Sequence, residues 1–97
     1  MDKDAVIEKL RAHEAELRAE GLSHVFLFGS VARGEQDEQS DVDLFYDYDN
    51  PRFSLFDVMR VTDRLMEILG TKVDAMTRDS VHPRIRKEVE TEAIQVF

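Results

Sequence analysis

Asp41-Val42-Asp43-Leu44-Phe45-Tyr46-Asp47-Tyr48 alternates along its length, setting Val42, Leu44, Tyr46 and Tyr48 on one face of an extended segment and Asp41, Asp43, Phe45 and Asp47 on the other. The pattern predicts a strand that presents two carboxylates, two residues apart, on the same side. Just upstream, Ser23-His24-Val25-Phe26-Leu27-Phe28 is rich in aromatic and branched residues and reads as a mostly buried strand ending at Gly29. Between the two strands lie a Gly29-Ser30 turn, a short helical opening at Val31-Ala32-Arg33, and a polar loop from Gly34 to Ser40.

Working outward, Val6, Ile7, Leu10 and Leu17 form one apolar stripe of a first helix, with Asp2 and Asp4 at its favourable end and Gly21 as its stop. After the turn at Asn50-Pro51-Arg52, the residues Leu55, Val58, Val61, Thr62, Leu65, Ile68 and Leu69 define a second amphipathic helix closed by Gly70, whose apolar face should cover the sheet. Thr71 to Thr77 reads as a short strand in which Val73 and Ala75 oppose Lys72, Asp74 and Met76, placing a third carboxylate. Pro83 opens a helix over Arg84 to Glu90, and Ala93 to Phe97 closes the chain as an edge strand. Strands and helices interleave, so the fold class is α/β.

Ninety-seven residues make one domain, spanning residues 1–97, with a single core and no second lobe to shape a large substrate. A composition 42% hydrophobic and 35% charged is that of an ordinary globular protein. Thirteen Lys plus Arg against 21 Asp plus Glu give a net charge of −8, which opposes adhesion to nucleic-acid backbones and favours a basic protein partner. The lack of cysteine excludes disulfides, thiolate catalysis and cysteine zinc sites. No apolar run reaches the length of a membrane span and the charged N-terminus is unlike a secretory signal, so a cytoplasmic location with no membrane contact is expected.

The chemistry concentrates in Gly29-Ser30 and Asp41-Val42-Asp43, ten residues apart. Glycine lets backbone approach a phosphate with no Cβ in the way, and turn amides with the Ser30 hydroxyl can donate to its oxygens, so the turn can hold a polyphosphate tail. Asp41 and Asp43 can jointly hold Mg²⁺, which favours carboxylate, phosphate and water oxygens. A second ion roughly 3.5–4 Å away would stabilise the attacking and leaving oxygens of an in-line displacement. Asp74 can complete such a site and help deprotonate or orient an attacking hydroxyl. Arg33 has two readings, a phosphate contact from the short helix or an ion pair with Glu35 or Asp37.

In these residues the chain resembles the minimal nucleotidyltransferases of the DNA polymerase β-like superfamily, and among them the antitoxins encoded with HEPN-type RNase toxins. The matching stretches are Phe28 to Glu35, Ser40 to Leu44, Ser54 to Asp57, Lys72 to Asp74, Val81 to Arg86, and Glu92-Ala93-Ile94. The resemblance implies a mixed sheet flanked by helices, a polymerase β-like palm core. It also implies Mg²⁺-dependent use of ATP and transfer of AMP to a hydroxyl, in the antitoxin branch a tyrosine of the HEPN partner toxin. Position by position, Gly29 and Ser30 match the phosphate-holding turn, Asp41 and Asp43 the metal pair, and Asp74 the third carboxylate. An alternative is an antitoxin that silences its HEPN toxin by binding alone; transfer to a small hydroxylated molecule ranks behind both.

Several residues are expected outside the site. Asp47 and Asp49 lie farther along the strand as solvated exit positions, and His13, His24 and His82 have surface or structural roles. Met59 and Met66 are expected as core filler, while Phe53 and Phe56 fit either core or partner surface. The basic cluster Arg78, Arg84, Arg86 and Lys87 is expected to balance nearby acids such as Asp79, Glu88 and Glu90 rather than to steer ATP.

Overall fold

The computed structural model describes residues 1–97. In chain order the elements are α1 (Lys3–Ala12), α2 (Glu14–Ala19), β1 (Leu22–Phe28), α3 (Gly29–Arg33), β2 (Val42–Tyr48), α4 (Leu55–Leu69), β3 (Val73–Thr77), a 3₁₀ turn at Arg78–Ser80, α5 (Pro83–Glu92) and β4 (Ile94–Gln95). The strands form one sheet in the order β3-β2-β1-β4, with β2 parallel to β3 and β1 antiparallel to both β2 and β4. This is the expected mixed sheet flanked by helices. The parallel pair needs a long crossover, which α4 provides.

The expected first helix is two. At His13 the backbone leaves helical geometry, its N–H reaches Leu10 O at 3.1 Å, and the imidazole Nδ1 lies 2.9 Å from Lys9 O, the carbonyl that a continuing helix would bond through the backbone. The break lets Leu10 on α1 and Leu17 on α2 both enter the core.

The larger core lies on one face of the sheet. Val25 and Leu27 of β1, Val42, Leu44 and Tyr46 of β2, and Val73 of β3 meet Val6 and Leu10 of α1 and Val61, Leu65 and Leu69 of α4. Helix α4 is set at both ends: the Asp57 carboxylate accepts from the Ser54 N–H at 2.7 Å, and Gly70 closes the helix with φ 68° and an N–H bonded to Met66 O. Only its later turns pack as read from sequence. Leu55, Phe56 and Met59 stand in solvent, Phe56 at 82% exposure, because α4 reaches the sheet only from Val61 onward. Leu55 therefore leaves the expected apolar face, Met59 is not core filler, and Met66 packs on the core as expected. Phe53 stacks on Tyr48 at 4.7 Å and packs against the same core.

A smaller cluster occupies the opposite face, where α5 brings Val89 against Phe45 and Val81, with Phe26, Phe28 and Met76 around them. Phe45 is thus buried although it lies on the acidic face of β2. Phe26 stacks on it at 4.8 Å, and the Arg78 guanidinium lies over both rings. Arg78 also makes a two-point ion pair with Asp47 at 2.7 and 2.9 Å and a bond to Glu90 at 2.7 Å. Asp47 is therefore a half-buried structural partner rather than a solvated exit position, and for Arg78 the basic cluster does balance nearby acids. Arg86 donates to the carbonyls of Asp79 and Val81.

Leu65→Ala, at a fully buried position, should cost about 2–5 kcal/mol in urea denaturation. Phe56→Ala should stay within about 0.5 kcal/mol of the parent. Equal losses at the two positions would contradict this placement of the core.

Candidate active site

Gly29 ends β1 and begins α3 with φ 76°, a conformation that suits glycine. A Cβ at this position would lie 2.2 Å from Asp43 Oδ2 and 3.1 Å from Asp43 Cγ. The turn backbone therefore rests directly against the Asp43 carboxylate, in space that no other residue leaves open.

Sheet register supplies the rest. Phe28 of β1 pairs across from Asp43, and Asp43 pairs across from Asp74 of β3, so these three residues form a row over three strands on the face that α5 only partly covers. Asp41 sits just before β2 begins, exposed like Asp74, whereas Asp43 is half-buried. Burial is the main cause that pushes the Asp43 carboxyl above its usual range; the negative charges of Asp74 and Asp41 add to the rise, and Arg33 opposes it. The three carboxylates thus share one electrostatic neighbourhood.

They do not form a closed cage, since no three His, Asp or Glu side chains are gathered tightly enough to hold a metal ion by themselves. The donor set nevertheless fits a hard cation. Mg²⁺ is commonly held by one or two carboxylates together with substrate phosphates and water rather than by an all-protein shell. A half-buried carboxylate crowded by two others gains from a cation that offsets the shared charge.

Ser30 lies in the first turn of α3, half-buried, its carbonyl accepting from the Glu35 N–H at 2.9 Å. Arg33 is held in ion pairs, with Glu35 at 3.0 Å and with Glu92 of α5 at 3.1 Å. Of the two acids expected as its ion-pair partners, Glu35 is engaged and Asp37 is not. Glu92 lies in a matching stretch, but its pairing with Arg33, 59 positions away in the chain, had no local signal, because only the packing of α5 beside α3 brings the two together. The histidines have local roles or none in this region: His82 Nδ1 accepts from the Arg84 N–H at the start of α5, His13 breaks the first helix, and His24 is exposed on β1.

Two clefts flank the carboxylate row. One, of about 450 Å³, is wholly polar and is lined by Asp41, Ser40, Glu38, Gln39, Thr71 and Lys72. The other, of about 240 Å³, opens at Gly29 between α3 and α5. A further hollow on α5, beside Arg86 and Glu90, has none of the three carboxylates in its lining.

Residues 7–96 match the family model described as the nucleotidyltransferase domain. Over 92 residues the chain is 38% identical to a Methanocaldococcus jannaschii protein assigned as a protein adenylyltransferase, covering 92% of each. It is 36% identical over 88 residues to the protein adenylyltransferase MntA of Thermococcus cleftensis, covering 90% of this chain and 88% of that one. Among solved structures, one described as a minimal nucleotidyltransferase superposes with a TM-score of 0.74 at 41% identity, over 97% of this chain and 95% of that one. Two more distant structures share the fold: a toxin-antitoxin complex with AMP-PNP, with TM-score 0.72, 21% identity and coverage of 100% and 73%. The other is a tri-AMPylated HEPN toxin of Shewanella oneidensis in complex with its MNT antitoxin, with TM-score 0.67, 18% identity and coverage of 94% and 71%. The fold, the row of carboxylates beside a glycine turn, and these likenesses lead to one assignment: the chain belongs to the nucleotidyltransferase domain family, in its minimal branch, and is a nucleotidyltransferase.

Proposed function

We propose that the chain transfers AMP from ATP to a tyrosine hydroxyl of a HEPN RNase toxin and acts as that toxin's antitoxin. The observation that carries the reading is the Gly29 backbone pressed against a half-buried Asp43 that has Asp74 in register beside it. The names of the archaeal relatives and the AMPylated toxin of the Shewanella complex support the choice of reaction and acceptor. The 97 residues act as one minimal domain that relies on its partner to bring the acceptor. A cytoplasmic location belongs to the proposal, since that is where ATP is supplied; no helix is long and apolar enough to cross a membrane.

The Gly29-Ser30 turn holds the triphosphate through its amides and the Ser30 hydroxyl, and Arg33 reaches a phosphate when it exchanges its pairs with Glu35 and Glu92. Asp41 and Asp43 would hold Mg²⁺, with Asp74 contributing to a second ion. When bound, such ions neutralise phosphate charge and stabilise the attacking and leaving oxygens. Asp74, exposed at the outer side of the row, accepts or orients the acceptor's proton. The hydroxyl oxygen forms a bond to the α-phosphorus, the bond from that phosphorus to the bridging oxygen breaks, and pyrophosphate leaves with the electron pair. In-line geometry then requires the acceptor to approach opposite the Gly29-Ser30 turn, from the side of β3.

A second reading, neutralisation by binding alone, is favoured by the exposed Leu55, Phe56 and Met59 at the start of α4. Replacing Asp41 and Asp43 together by Asn separates the two. Under the catalytic reading, toxin neutralisation is lost while the complex still forms; neutralisation that survives would establish the binding reading.

Incubation with Mg²⁺-ATP and the partner toxin should add AMP to the toxin in intact-mass spectra, and Asp43→Asn should slow the addition by about 100-fold or more. An unmodified toxin, with a related enzyme active in parallel, would refute the transfer.

Gly29→Ala should be inactive in the same assay and lose about 1–3 kcal/mol of stability in denaturant, because alanine at φ 76° is strained and its methyl displaces the Asp43 carboxylate.

Asp43 has a further consequence in metal-free protein. Its folded carboxyl holds a proton to higher pH than the unfolded one, so in the window between the two values the folded state binds more protons and stability falls as pH rises. At neutral pH, Asp43→Asn should therefore raise the Tm measured by calorimetry even as it abolishes transfer. A lowered Tm would contradict the electrostatic account of the site.

A further inference from the structure

We infer that the first turns of α4 are a docking surface for the partner toxin, shaped to take a helix that carries an apolar stripe with a basic residue one turn along it. The placement rests on the reading of the chain as that toxin's antitoxin, and it separates where the partner is held from where it is modified.

Leu55, Phe56 and Met59 are neighbours on one stripe of α4 and are exposed at 73%, 82% and 56%. A single exposed apolar side chain is ordinary on a protein surface, whereas three large ones side by side make a patch of the kind that partners cover. They are not carried on a frayed end. The capping box of Ser54 and Asp57 fixes the start of the helix, and Phe53 just before it stacks on Tyr48 and packs on the core. A stripe held on a rigid helix loses little freedom on docking, and its complement is the apolar face of a second helix.

Charge selects the occupant. Asp63 lies one turn beyond Met59 on the same stripe, exposed and in no ion pair. The two cations of this face are already held, Arg60 by Glu20 and Asp57, and Arg64 by Glu16 and Glu67. The surface beside the patch is therefore acidic, on a chain whose net charge is −8. A second copy would bring like charges together, while a partner with Lys or Arg one turn from its own apolar residues meets Asp63.

Position separates docking from chemistry. Asp43 lies near the start of β2 and Tyr48 at its end, five residues on, or about 17 Å at roughly 3.3 Å per residue. Helix α4 begins beyond Tyr48, so the patch stands close to a strand length from the carboxylate row. A residue seated there is out of reach of Asp43 and cannot be the acceptor. The surface contributes affinity, and another part of the same partner presents the hydroxyl.

The test uses the full chain and the purified partner toxin. Leu55→Ser combined with Phe56→Ser should raise the KM for the toxin in AMP transfer about 10-fold or more, with kcat and the affinity for Mg²⁺-ATP within about twofold of the parent. Titration calorimetry should show the same loss of toxin affinity, at an unchanged Tm. Asp63→Lys should weaken the complex about 3- to 10-fold at low salt and less at high salt. Unchanged toxin affinity in the double variant would overturn the assignment, and parent-like affinity in Asp63→Lys would overturn the basic complement. A fall in kcat with KM intact would also overturn it, since the patch would then act on the chemistry. So would a parent that dimerises in sedimentation and a double variant that is monomeric with full toxin affinity, which would give the patch to a second copy. If the parent adds no AMP to the toxin, the transfer reading fails, and the calorimetric comparison still decides the docking surface.

Discussion

The contact on which the site depends is the approach of the Gly29 backbone to the Asp43 carboxylate, so close that a Cβ would sit 2.2 Å from Oδ2. It binds three features into one geometry. Gly29 must adopt positive φ, β1 must end where β2 carries Asp43, and the register of the two strands must pair Phe28 with Asp43. A slip of one residue would turn every side chain of β2 to the other face, carrying the carboxylates into the core. The buried Leu44 and Tyr46 between and beyond the acidic positions prevent that slip, because exposing them would forfeit about 1.5–3 kcal/mol for each large apolar side chain.

Packing on the two faces then divides the work. The α1 and α4 face is closed by a continuous apolar core and supplies stability. On the other face α5 covers Phe45 but stops short of the carboxylate row, leaving Asp74 exposed and Asp43 half-buried. Burial first, and then the negative charges of Asp74 and Asp41, hold the Asp43 carboxyl above its usual range, which is a destabilising arrangement for the charged form. Folding tolerates it because the main core lies on the opposite face of the sheet, and a cation with its phosphate would relieve it.

Much of the architecture was legible in the chain because it rests on local physics. The alternation in Val42 to Tyr48, the helical stripe ending at Leu65, Ile68 and Leu69 before Gly70, and Pro83 at a helix start each correspond to an element found. The failures share a cause. Val6 to Leu17 carries one helical period, but the His13 side chain takes a carbonyl that the backbone would need. Leu55 and Met59 lie on the right stripe of α4, yet that end of the helix overhangs the sheet, and periodicity says nothing about where a helix meets its partner. Asp47 looked solvated because its partner Arg78 lies 31 residues away.

By itself, then, the sequence determined most of the elements, the glycine at the turn and the close spacing of Asp41 and Asp43 at the start of β2, since each follows from backbone geometry within a few residues. Only the tertiary structure decided that Asp74 stands beside Asp43, that Arg33 is clasped by Glu92, and that a cleft with apolar walls and an acidic rim opens next to the carboxylates. Those relations join residues far apart in the chain. They arise from strand register and from the seating of α5, which are settled by the packing of the whole sheet and have no signature in any short stretch.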